Sequence, residues 1–225
     1  MTDTIAKKYV DPYADSLARF NRECGNHEMT VLHDDGLYRH LRFNTPAHSL
    51  YWFDLVTWPG YLTISGDFGC YTFARIGDMF EFFLLTGDSI NPSYWAEKVK
   101  AGDLRGYSDD SFTKHVTEHF EQYATRTSLD DTDRKALWDE VTEEVLGCSD
   151  YEVNARDAIR HFRSDNDRFS DFDFEDAEGW EFEEFRWEFL LCCQAVIWGI
   201  GQYRKQPRAA QVTALIETTA VVVTA

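Results

Sequence analysis

Between residues 38 and 75 the chain follows a two-residue rhythm. Tyr38–Phe43, Leu50–Thr57, Tyr61–Ser65 and Tyr71–Arg75 are rich in aromatic and β-branched residues. Turn residues separate them: Asn44-Thr45-Pro46, Pro59-Gly60 and Gly66-Asp67. Such short connections permit only antiparallel neighbours, so the pattern predicts a meander of about four strands. Pro59 sets φ for the first corner of a tight reversal and Gly60 supplies the second. In the second strand Tyr51, Phe53 and Leu55 share one face, and Trp52, Asp54 and Val56 the other.

On either side the period becomes helical. Asp11–Glu23 predicts a first helix with Leu17 and Phe20 on one face. Met79, Phe82 and Phe83 follow i, i+3, i+4 spacing. Asn91-Pro92 is a cap followed by proline at the first helical position. Further stripes are Phe112, Val116, Phe120 and Tyr123, then Leu137, Trp138, Val141 and Val145. Ser149 and Glu152 have capping-box spacing ahead of Ala155, Ala158, Ile159 and Phe162. A long helix is expected from about Trp180 to Tyr203. Its part from Phe189 to Ile200 is apolar all round, which predicts a buried C-terminal helix. The expected fold is α+β: a small antiparallel sheet over 38–75 wrapped by five to seven helices, one domain over 1–205. Residues 206–225 form a tail or an added edge strand.

Charge narrows the function. Among 225 residues, 40 are acidic and 22 basic, a net charge of -18. Such a chain repels phosphate backbones and anionic membrane surfaces, which excludes direct nucleic-acid binding through a basic face and electrostatic membrane binding. Aromatics make up 16% of the chain, far too many for a disordered protein. No apolar stretch reaches the roughly 20 residues of a membrane span. No apolar run follows Lys7 and Lys8, so a secretory leader is not expected. The five cysteines lack a repeated spacing, which fits small core residues in a reducing cytoplasm.

Three constellations carry candidate chemistry. His115-Val-Thr-Glu118-His119 has the spacing of inverted zincins: both histidines share a helix face and Glu118 is placed as a base. Val116 and Phe120 occupy the buried stripe beside them, and a third ligand must be sought as far away as Glu184 or Glu188, so no metal or other cofactor is assigned. An EF-hand loop starting at Asp171 would need glycine at 176 and glutamate at 182, where the chain has Asp176 and Phe182. The third constellation is a pocket around His40, Asp54, Trp58 and Asp67, which would suit a small-molecule-binding protein or a hydrolase.

The acidic stretch is the most informative feature. Residues 165–188 hold 11 acids and two bases, interleaved with Phe169, Phe172, Phe174, Trp180 and Phe182. A purely solvating segment has few aromatics. Two arrangements fit: aromatics tucked into the domain beneath a solvated face, or a surface that engages a basic partner. The second makes Asp165, Asp167, Asp171, Asp173, Glu175, Asp176, Glu178 and Trp180 the expected partner-binding residues.

Several segments resemble a family of uncharacterised proteins encoded by tailed phages and prophages. They are Tyr38-Arg-His-Leu-Arg-Phe43, Tyr51-Trp-Phe-Asp-Leu-Val-Thr-Trp-Pro-Gly60, Ile64-Ser-Gly-Asp-Phe-Gly69, Asp78-Met-Phe-Glu-Phe-Phe83 and Asn91-Pro-Ser-Tyr-Trp95, with Phe189-Leu-Leu-Cys-Cys193 and Trp198-Gly-Ile200 near the end. The resemblance implies an accessory protein of phage origin, acting in the cytoplasm of the infected host cell, and it implies no activity. With the acidity, it leads to the expectation of a non-enzymatic inhibitor. Its partner would be a host protein with a basic nucleic-acid-binding surface, in an anti-CRISPR or other anti-defence role exercised by nucleic-acid mimicry.

Overall fold

The structure is a computed structural model that describes residues 11–206 apart from 47, 86 and 88. The tail over 207–225 lies outside the described residues. Within the expected 1–205 domain, residue contacts separate two compact units, one of residues up to Leu104 together with those from Phe185 onward, the other spanning Arg105–Glu184.

The first unit is built on a sheet. Its order is β1 (Glu28–Asp35), β2 (Tyr38–Thr45), β3 (His48–Trp58), β4 (Tyr61–Gly66), β5 (Gly69–Ala74) and β6 (Val99–Ala101), each antiparallel to its neighbour. The four strands expected over 38–75 are β2–β5. The sheet is larger than expected because β1 and β6 extend its two sides. Trp58 pairs with Tyr61 across the Pro59-Gly60 reversal, and Gly60 has φ +86°, a conformation glycine adopts without strain.

One face of the sheet is core. Leu41, Phe43, Phe53, Leu55, Leu62, Ile64, Tyr71 and Phe73 point into it and are buried. Helices α1 (Ala14–Cys24), α2 (Met79–Leu84) and α3 (Pro92–Ala96) add Phe20, Phe80, Phe82, Phe83 and Trp95. The buried C-terminal helix is α7 (Trp187–Lys205). It starts later than the sequence suggested, because Trp180 and Phe182 belong to the other unit. Cys192, Cys193 and Ile200 are fully buried, and burial pushes both thiols well above their ordinary value, as inert core residues. Gly199 is a point of close approach. A Cβ there would lie 2.8 Å from Leu55 Cδ1 and 3.1 Å from Phe43 Cζ, so the α7 backbone rests directly on the sheet. Gln194, polar in an apolar helix, is satisfied by donating to Ser16 Oγ at 2.9 Å. Trp198 is only half-buried and sets its ring edge-on to Phe20 and Phe43, at 5.8 and 5.6 Å.

Tyr51 breaks the regularity of β3 with φ +62°, an unusual value for a bulky residue. Its backbone is over-determined. The amide donates to Asp67 Oδ2 at 2.6 Å, and the carbonyl accepts from His27 Nε2 at 3.0 Å. The ring stacks on Phe68 at 5.6 Å.

The second unit is helical. It contains α4 (Asp109–Thr127), α5 (Asp131–Glu144) and α6 (Glu152–His161). A two-stranded ribbon of β7 (Arg105–Tyr107) and β8 (Glu183–Phe185) ties its ends together. Ser108 and Asp130 cap the first two helices as their side chains predict: Ser108 Oγ accepts from Ser111, and Asp130 Oδ1 from Thr132 and Asp133. The stripes read from the sequence are the core: Phe112, Val116, Phe120, Tyr123, Leu137, Val141, Val145, Ala155, Ile159 and Phe162. Among the described residues there are seven α-helices, and none is long and apolar enough to cross a membrane.

Candidate functional site

The segment from 165 to 182 shows how the helical unit makes its surface. It runs without regular secondary structure apart from 3-10 turns at Asp167–Phe169 and Glu175–Gly179. Phe169, Phe172, Phe174 and Phe182 turn inward and are buried. Phe172 packs edge-to-face against Tyr123 at 4.8 Å and Phe174 at 5.1 Å. Acids interleaved with these aromatics face water. Asp165, Asp167, Asp171 and Glu178 are exposed, and Asp173 is half-buried. Asp171 also accepts from the Tyr123 hydroxyl at 2.6 Å. Burial, and then this contact with Asp171, pushes the Tyr123 phenol up to about 12. The side chains of Glu175 and Asp176 lie outside the described residues. Trp180, expected as a partner-binding residue, also packs within the unit. It is half-buried, with His119 at 5.4 Å, His115 at 5.6 Å and Phe174 at 6.1 Å. An indole has a large apolar body, and the nearest core claims it.

The site is larger than the stretch read from the sequence. Residues 105–184 hold 24 acids and nine bases, so this unit carries -15 of the net -18. Further carboxylates lie on α4 and α5, where Glu118, Glu143 and Glu144 are exposed. Part of the charge is neutralised in place. Asp133 is buried and paired with Arg168, while Glu121 pairs with Arg134 and Asp139 with Lys135. A body of 80 residues has a radius of gyration of about 12 Å, hence a diameter of about 30 Å. Duplex nucleic acid carries one charge per about 1.7 Å, so fifteen charges correspond to about 25 Å of duplex. The helical unit therefore matches duplex nucleic acid in charge per length.

The zincin-like pentad has a structural job. His115 Nδ1 donates to the Ser111 carbonyl at 2.8 Å, one turn back. His119 Nε2 donates to the Asp173 carbonyl at 2.8 Å and so fastens the acidic segment to α4. Both rings lie against Trp180, and Glu118 points to solvent. Of the third ligands considered, Glu184 accepts from Ser108 Oγ at 2.9 Å, and Glu188 belongs to α7 of the sheet unit. Among the described residues no three His, Cys, Asp or Glu side chains cluster as a metal site.

The pocket expected around His40, Asp54, Trp58 and Asp67 is not assembled. His40 and Asp54 meet, with Nε2 to Oδ2 at 2.8 Å. Trp58 sits at the Pro59-Gly60 end and stacks on Tyr61 at 5.1 Å, while Asp67 holds Tyr51 at the opposite end of β4. About 17 Å of strand separates the two ends. What exists is an ion-pair cluster on the sheet face opposite the core. Arg42 grips Asp54 with two hydrogen bonds of 2.8 Å and lies over the Trp52 ring at 5.1 Å. Burial pushes the Asp54 carboxyl up, but the hydrogen bonds from Arg42 and His40 outweigh it and hold the group below its ordinary value. Its contribution to stability is thus present above the unfolded value of about 4 and disappears as pH falls through the folded one. Asp54→Ala is expected to cost about 2 kcal/mol at pH 7. Chemical denaturation of variant and wild type should converge as the pH falls below 4, and a gap persisting at pH 2 would contradict the assignment.

Comparison with protein-family profiles, with curated proteins and with solved structures finds no match to this chain.

Proposed function

We propose that the protein is an acidic inhibitor whose helical unit stands in for nucleic acid. It would dock on the basic groove of a host complex that handles DNA or RNA. The observation that supports this reading is the concentration of charge, -15 in one 80-residue unit whose aromatics are used internally. Like charge keeps nucleic acid itself away, so the complementary partner is a protein lined with Lys and Arg. Opposite charge steers such a partner into encounter and raises the association rate. The resemblance to phage and prophage proteins supplies the setting. The partner class is a host defence complex, with RNA-guided effectors of the CRISPR type among its members.

The test is displacement. Purified defence complexes, each loaded with a fluorescent duplex or guide, are mixed with the protein at 50 and 300 mM salt. Release of the nucleic acid from at least one complex is expected, and it should be much weaker at the higher salt. If no complex loses its nucleic acid at micromolar protein, or if release is indifferent to salt, mimicry is wrong.

A further inference from the structure

One cleft in the helical unit runs against its overall charge. It has a volume of about 490 Å³, within the range of small-ligand sites. Three of the unit's nine basic residues line it: Arg156, Arg160 and Arg163. They recur at i, i+4 and i+7 along α6 and just past its end, which places them on one wall. Arg156 is anchored, donating to Glu152 Oε1 at 2.8 Å and to the Trp180 carbonyl at 3.3 Å. Arg163 donates to the Phe162 carbonyl at 2.5 Å. Arg160 has no ion-pair or hydrogen-bond partner for its guanidinium among the described residues, although acids outnumber bases in this unit by more than two to one. Ile159, Phe174 and Ala177 supply apolar lining, and Asp173 and Glu178 complete the cleft.

This polarity selects a ligand class. Guanidinium groups in a row suit a phosphate, which accepts several N–H donors at once. The apolar lining suits a flat ring. The carboxylate of Glu178, exposed and without a partner among the described residues, suits an exocyclic amino donor. We propose that the cleft between α6 and the 173–178 segment binds a nucleoside monophosphate, its phosphate on Arg160 and Arg163 and its base against the apolar lining. Asp173 and Glu178 line the same cleft, so three guanidiniums there face two carboxylates, while charges beyond about 8–10 Å are screened at physiological salt.

Calorimetric titration with adenosine monophosphate, adenosine and inorganic phosphate tests it on the full chain. Adenosine monophosphate is expected to bind more tightly than either fragment. Arg160→Gln should weaken it about tenfold or more, since a charged hydrogen bond of that kind is lost, and should leave the melting temperature unchanged. Arg163→Gln provides a second reading if it folds. Absence of binding at 5 mM nucleotide would overturn the proposal, as would unaltered affinity in Arg160→Gln. Phosphate binding as tightly as the nucleotide would overturn the assignment of a nucleoside body.

Discussion

Phe172→Ala is expected to unfold the helical unit or bring it close to unfolding. The ring is 1% exposed and sits at the centre of an aromatic cluster, against Tyr123, Phe174, Phe162 and His119 at 4.8, 5.1, 5.8 and 5.7 Å. Removing a buried phenyl costs about 3–5 kcal/mol, because the neighbours collapse only partly into the space. An 80-residue unit is stable by about 4–12 kcal/mol in all. The loss is therefore comparable to the whole margin, and this unit starts with a handicap, since fifteen net negative charges repel one another. Denaturant unfolding and amide exchange across 105–184 measure it. The contrasting idea makes the aromatics of 165–182 anchors for a partner. It predicts a variant with normal melting behaviour and lost binding, and that outcome would overturn the internal role assigned to Phe172.

How far the fold could be read from the chain depended on whether each element advertises itself locally. Strands β2–β5 do, because each buries one face and ends in a turn whose residues demand it. Strand β1 does not. Seven of its eight residues, Glu28 and Thr30–Asp35, are exposed and only Met29 is half-buried, so no apolar alternation marks it. It is held by backbone pairing with β2, which leaves no trace in side-chain pattern. The start of α7 is hidden for the opposite reason. Trp180 and Phe182 extend an apolar rhythm that continues into Trp187, yet they bury into a different core. The acidic stretch is legible as charge and as a candidate surface, but not in its full extent. Its acids join Glu118, Glu143 and Glu144 only once 105–184 is seen as one body. The three arginines of the cleft stood at helical spacing throughout. Their spacing does not show a cleft, because the facing wall at 173–178 has no regular pattern of its own.

Neutralising six exposed carboxylates of the helical unit should separate electrostatic docking from every other way of binding a partner. The suitable set is Glu118→Gln, Glu143→Gln, Glu144→Gln, Asp165→Asn, Glu178→Gln and Glu181→Gln. All six side chains are exposed and have no hydrogen-bond or ion-pair partner among the described residues. Asp171 and Asp133 are left alone, since they hold Tyr123 and Arg168. The swaps preserve size and move the unit from -15 to a net charge of -9. Stability should rise. Glu143 and Glu144 stand in the last turn of α5, where a negative charge faces the negative end of the helix dipole. Relief of about 1 kcal/mol there and between like neighbours corresponds to about 4–8 °C in the melting temperature of a unit this size, and added salt should shrink that gain. Binding should fall by a separate route. Surface charge acts mainly on encounter, so the association rate for the displaced complex should drop about tenfold at 50 mM salt while dissociation changes little. At 500 mM salt the two proteins should associate at nearly the same rate, because screening has already removed what the substitutions removed. A variant that melts higher and still displaces nucleic acid at the wild-type rate in low salt would show that this charged surface is not what the partner recognises.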